Sequence, residues 1–275
     1  MPSIRRRLRE IVTATLAQPE TWRRAAAWPL LLPWLRVALV ALAALITTGI
    51  IAATGQPVGV ATASLYAALY LLPVNILCLL AVRRLVHSDG GTIRGMIGFE
   101  PVRLGRDILW GLLWLCVLYF PFVLAVIGTM FALYGTDAFG HFESVFAPDQ
   151  GALPPISTGA AIFIGIVVVL TFAPLNAPTE ELVFRGYSQG RLQTLWGKRA
   201  IAILLPSIAF SVQHIFFATT SAGMLVYAVA FFVWGVGSGL IYQRQRRLMP
   251  LIVAHVIVNL ATSVPALLVP FFIPA

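Results

Sequence analysis

Charge is scarce in this chain: only 11% of its 275 residues are charged, against 59% hydrophobic. A soluble globular domain carries about 25% charge, so that class is excluded and an integral membrane protein is indicated. Cysteine is scarcer still, with only Cys78 and Cys116, both inside apolar runs. A disulfide framework and a Cys₄ zinc site are therefore ruled out, and both thiols read as small packing residues. A continuous apolar stretch is missing from residues 1–28, which hold six arginines, so no cleavable signal peptide is expected there. Internal repeats, low-complexity linkers and a second domain are not evident either.

What is present is a succession of apolar windows. Stretches of about 20 apolar residues can each span a bilayer. They fall near 35–54, 62–82, 107–133, 157–173, 200–217, 222–243 and 249–270, with a more polar helix at about 179–195. The expected fold is all-α: a polytopic transmembrane bundle of about 7–8 membrane helices, including a broken or partial span near 174–179. Pro174 and Pro178 lack amide protons and disfavour helix continuation, and Thr179 is an acceptable N-cap for a helix starting at Glu180. Such a break predicts a hydrated cavity beside it. Residues 1–28 form a basic N-terminal segment, in which Ile4, Leu8, Ile11 and Val12 recur at helical spacing. That pattern suits an amphipathic helix on the inner membrane surface. Residues 29–275 form one transmembrane domain whose polar core lies in 157–270. Gly235 and Gly239 make a small-xxx-small pattern suited to close helix packing.

The net charge of +9 does not indicate nucleic acid. Basic residues in a polytopic chain mark cytoplasmic loops and contact anionic lipid. Seven Lys or Arg lie in 1–36, five in 83–106, three in 191–199 and three in 244–247, with Arg185 alone between. The connections 55–61, 135–156 and 218–221 have none. All basic loops face one side if 157–195 makes a single net crossing. That places the N-terminus in the cytoplasm of a bacterial plasma membrane.

Against this apolar background three polar groups stand out. Ionisable side chains near the bilayer centre cost roughly 2.5–3.5 kcal/mol on insertion scales and are usually functional. Glu181 and Arg185 share a helical face at i,i+4, while Glu180 is turned away from Arg185 by about 140°. Arg185 therefore pairs with Glu181, and Glu180 is expected to be free and without a cationic partner. Phe210 and His214 share a face of the next helix, where the ring could wall a pocket that the imidazole enters. His255 and Asn259 repeat the spacing on the last span and offer two donors one turn apart, suited to an oxyanion. Singly, each group also reads as packing: an ion-paired helix end, a hydrogen-bonded core histidine partnered by Ser211 or Gln213, and an interhelical clamp. Asn75 reads as satisfying a kinked helix, and Asn176 could face the cavity. His87, His141 and Glu143 read as solvated loop residues.

In order, Glu180-Glu181-x-x-x-Arg185-Gly186, Phe210-x-x-x-His214 and His255-x-x-x-Asn259 resemble the motifs of the CPBP family. These are the CAAX-protease and bacteriocin-processing intramembrane endopeptidases. The resemblance covers about 170–260. It implies that Glu180 and His214 activate the attacking water, that His255 and Asn259 bind the oxyanion, and that Glu181 and Arg185 are a structural pair. The implied substrate is a peptide or protein, lipidated or membrane-bound, with no nucleic acid. No cofactor is expected. The alternative is zinc, held by Glu180, His214 and His255, although no His-Glu-x-x-His sequence exists. A proton-coupled transporter with a broken helix and a non-catalytic membrane scaffold are the competing functions.

Overall fold

A computed structural model of the chain describes residues 19–56, 58, 63–64, 66–146 and 157–272. The amphipathic segment expected within residues 1–18 lies outside the described residues. Among them there is no strand. The long helices are α1 (Pro19–Ala53) and α2 (Ala67–Ser88), followed by a short α3 (Ile93–Ile97). Next come α4 (Leu104–Tyr134) and the short α5 (Phe142–Phe146). The second half holds α6 (Thr158–Glu180), α7 (Gly190–Trp196), α8 (Arg199–His214), α9 (Ser221–Gln245) and α10 (Met249–Phe272). Among the described residues six stretches are long and apolar enough to cross a bilayer, and Met249–Pro265 adds a shorter apolar helix. The all-α polytopic bundle read from the apolar windows is the observed architecture.

One expectation is corrected. The helix does not break at Asn176-Ala177-Pro178: α6 runs through Pro174 and Pro178 to Glu180. Proline is tolerated inside a membrane helix when neighbouring helices and Ser or Thr side chains satisfy the freed backbone groups. Here α6 packs against α2 and α10; Thr171 Oγ1 and Thr179 Oγ1 bond back to Val167 O and Leu175 O at 2.7 and 2.6 Å, which are not the carbonyls freed by the prolines. Thr179 is thus an interior helix residue and not a cap. The irregularity comes directly afterwards, where Glu181–Gln189 is π-helical before α-geometry resumes in α7. All nine of its residues are buried, so this segment is surrounded by protein and not by lipid. π-Helical insertions are rare and occur mostly at functional sites. The stretch Thr158–Trp196 is one continuous helical run, which fits one net crossing.

Helix α2 also runs past its expected end, through Arg83 and Arg84, whose side chains are exposed. Arginine is a good helix former and extends its head group towards water. The basic connections then meet at one end of the bundle. Arg191 pairs with Asp89, and Arg247 pairs with Glu100 and Asp107 at 3.0 and 2.7 Å. Connections without Lys or Arg meet elsewhere: Thr220 Oγ1 donates to Val145 O at 2.8 Å and Thr219 Oγ1 to Phe146 O at 3.2 Å.

Small residues set the closest helix crossings. A Cβ added at Gly235 would stand 3.0 Å from Ser207 Cβ, and one at Gly239 2.8 Å from Ile203 Cγ2. The small-xxx-small pattern therefore does bring α9 against α8. Helix α6 packs along α10, and there Gly165 faces the backbone, with Leu267 Cα 2.8 Å from its would-be Cβ. Backbone cannot yield as a side-chain tip can. Gly165→Ala should cost about 1–3 kcal/mol, the usual penalty of overpacking, while Gly159→Ala on the same helix meets open space. A thermal-unfolding assay on purified protein should show a lowered midpoint for the first variant only.

Candidate active site

The three sequence motifs converge. The end of α6 and the π-helical segment bring Glu180, Glu181 and Arg185, α8 brings Phe210 and His214, and α10 brings His255 and Asn259. All seven side chains are buried: Glu180 is 0% exposed, while His214, His255 and Asn259 keep 5–6%. What little surface the group presents is on the imidazole and amide side.

Glu181 and Arg185 form the i,i+4 ion pair read from spacing, with Nη1 3.2 Å from Oε1. The Arg185 guanidinium lies 4.4 Å from the Phe210 ring centroid, a cation–π contact in a water-poor setting. Glu181 Oε1 also takes His255 Nδ1 at 3.0 Å. Gly186 follows because it must be small: a Cβ there would meet Leu248 Cδ1 at 2.8 Å and Met96 Sδ at 3.0 Å.

His214 packs between aromatic rings, stacked on Phe231 at 3.6 Å and 4.5 Å from Phe210. Its Nδ1 lies 2.6 Å from Phe210 O. A carbonyl can only accept, so Nδ1 carries the proton and Nε2 is left with a lone pair. The Ser211 hydroxyl is not its partner; it donates to Ala228 O at 2.6 Å. His255 has Glu181 Oε1 at Nδ1 and, at 3.4 Å, Glu180 Oε2 at Nε2. One turn on, Asn259 keeps its Nδ2 buried without a hydrogen-bond partner.

Glu180 departs from expectation. It is not free of cations: Arg36 of α1 places Nη2 2.9 Å from its Oε1. Gln213 Nε2 donates to the same oxygen at 2.8 Å. Arg36 is itself 0% exposed and also donates to Gln213 Oε1, Asn75 Oδ1 and Asn176 Oδ1 at 2.8–2.9 Å. Glu180 Oε2, by contrast, has no hydrogen-bond partner. Sequence reasoning counted Arg36 with the basic N-terminal cluster because it stands at the edge of the first apolar window. The signal that could have found it is the same that singled out Glu180, a lone charge inside the apolar run Ala27–Ala53. Asn75 and Asn176 serve this guanidinium. The remaining loop candidates stay apart: His87 is exposed, and His141 pairs with Asp137 at 3.1 Å on the surface.

Zinc is the alternative occupant of Glu180, His214 and His255. Among the described residues no group of three His, Cys, Asp or Glu side chains is arranged to hold a metal ion. Glu180 Oε1 is also already taken by a guanidinium and an amide, and a cation beside a ligand oxygen opposes a second cation. As placed, the three side chains do not form a ready ligand set.

Taken together, these features define a polytopic membrane protein with a buried carboxylate–imidazole site. Residues 160–261 match the family model described as Rce1-like, type II CAAX prenyl endopeptidase Rce1-like. Through this motif-bearing segment the chain is thus similar to the CAAX prenyl endopeptidases, which are peptide hydrolases. No curated protein and no solved structure matches it.

Removing one partner of a buried ion pair leaves the other charge uncompensated, at about 3–5 kcal/mol. Glu181→Gln should therefore lower the unfolding midpoint and the amount of folded protein in the membrane. A midpoint equal to wild type would show that Glu181 is not the structural partner of Arg185.

Proposed function

We propose that the protein is an intramembrane endopeptidase that hydrolyses a peptide bond with a water activated by Glu180. The observation that carries this reading is the asymmetry of that carboxylate. Oε1 is held by Arg36 and Gln213, whereas Oε2 has no hydrogen-bond partner and faces His255. A positioned carboxylate with one available oxygen is the geometry that a general base needs.

In the proposed reaction, Glu180 Oε2 takes a proton as the water oxygen bonds to the scissile carbonyl carbon. The lone pair on His214 Nε2 orients that water. The carbonyl π electrons move to oxygen, and the resulting oxyanion is met by the Asn259 Nδ2 donor and by the Nε2–H of a His255 ring that carries protons on both nitrogens, its Nδ1–H being committed to Glu181. The carbon–nitrogen bond then breaks, and Glu180 returns its proton to the leaving amine. The unpartnered state of Asn259 Nδ2 supports its part, since a buried donor without an acceptor is costly unless a ligand supplies one. The family description supports a lipidated protein with a CAAX-type carboxy-terminus as substrate.

Glu180→Gln keeps the shape and the bonds to Oε1 but removes the base. It should abolish cleavage of a farnesylated CAAX-type peptide by protein that still folds, though with a lowered unfolding midpoint because Arg36 loses its counter-charge. Wild-type activity should survive exhaustive chelation, and the purified protein should hold far less than one zinc per chain. Stoichiometric zinc, lost with activity on chelation and restored with it, would overturn the metal-free mechanism.

Orientation follows from the clustering of the basic connections at one end, which the excess of Lys and Arg assigns to the cytoplasm. In intact cells a cysteine at Ser221 should react with an impermeant maleimide, and one at Ser88 should not. Labelling of Ser88→Cys alone would invert the assignment, and labelling of both would refute it.

A further inference from the structure

The motifs account for Glu180, His214, His255 and Asn259, but not for the guanidinium that pairs with Glu180. Arg36 comes from α1, outside the segment 160–261 that the family model covers. A buried packing arginine ordinarily runs its head group out to the interface. Arg36 instead is fully buried and directs all three of its nitrogens inward, to acceptors on α2, α6 and α8.

We propose that Arg36 is the positioning residue for the hydrolytic base: it pins Glu180 by Oε1, directly and through Gln213, so that Oε2 alone is presented to water. This deepens, and rests on, the reading of Glu180 as the base. The contacts form a closed ring. Arg36 Nε donates to Gln213 Oε1, which fixes the amide orientation; Gln213 Nε2 must then point the other way, to Glu180 Oε1; and Arg36 Nη2 reaches the same oxygen. Two donors therefore converge on one carboxylate oxygen and none on the other.

The ring matters because the last torsion of a glutamate is broad and roughly two-fold. An unpinned carboxylate would exchange its oxygens and swing away from the water. Asn75 holds the guanidinium at Nη1 and Asn176 shares Nη2 with Glu180, and the Cys78 thiol borders it one turn after Asn75. A neutral residue could serve those amide oxygens. Only a cation also balances the carboxylate. The cluster then holds two carboxylates, Glu180 and Glu181, against two guanidiniums, Arg36 and Arg185, each pair in contact.

The test uses full-length protein in lipid nanodiscs, with a farnesylated CAAX-type peptide as probe and thermal unfolding as a second readout. Arg36→Gln should lower kcat about 100-fold, the loss typical of a catalytic group displaced by about 1 Å, with KM unchanged. Arg36→Lys keeps the charge and should recover part of kcat. Arg36→Gln should also lower the unfolding midpoint, and adding Glu180→Gln should raise it again, because the uncompensated anion is gone. Wild-type kcat in folded Arg36→Gln, or no recovery in Arg36→Lys, would overturn the positioning role. A midpoint that Glu180→Gln does not restore would overturn the pairing. Where Arg36→Gln fails to accumulate, accumulation of the double variant supports the pairing and its failure refutes it. Full activity in Glu180→Gln would sink the reading of the base itself, a result the stability cycle keeps separate.

Discussion

The structure depends on balancing charge where water is scarce. Two carboxylates and two guanidiniums sit inside an apolar bundle, paired as Glu180 with Arg36 and Glu181 with Arg185. Each charge alone would be costly at that depth, and each partner is also hydrogen-bonded to neutral groups. The pairs draw together helices far apart in sequence. α1 and α6 meet through Arg36, the π-helical segment meets α10 through Glu181 and His255, and α9 meets the same segment where Gln189 donates to Gly239 O. Of the four carboxylate oxygens, Oε2 of Glu180 and Oε2 of Glu181 lack hydrogen-bond partners, as does Asn259 Nδ2.

The π-helical segment is the local device that makes the arrangement possible. It starts at the residue after Glu180, keeps the Glu181–Arg185 contact, and is buried on every side. A regular amphipathic helix would have to leave one face against lipid or water. Its neighbours approach closely because Gly186 accepts Met96 and Leu248, and because Gly235 and Gly239 admit Ser207 and Ile203.

Much of this was legible in the sequence, and the reason is periodicity. Apolar windows gave the spans, and polar residues at i,i+4 gave the Glu181–Arg185 pair, the Phe210–His214 contact and the shared face of His255 and Asn259. Two readings failed for physical causes that spacing does not record. The break at Asn176-Ala177-Pro178 did not form: α6 runs through both prolines to Glu180, as a membrane helix can when its neighbours pack around it. The freedom of Glu180 was wrong because its counter-ion lies 144 positions away, and a helical wheel sees only its own helix. Arg36 and Asn75 also precede the segment that the family model covers. The polar site is thus assembled from both halves of the chain, although its motifs are confined to one.

The central claim is that Glu180 activates water and does not attack the peptide itself. Isotope placement during a single turnover in H₂¹⁸O tests this, because only attack by Glu180 itself can leave label in the enzyme. General-base hydrolysis puts one ¹⁸O directly into the new carboxyl group of the cleaved peptide and none into the enzyme, and this is the result predicted. Label found in the Glu180 side chain after one turnover, with an unlabelled product, would reveal a covalent acyl-enzyme and contradict the account.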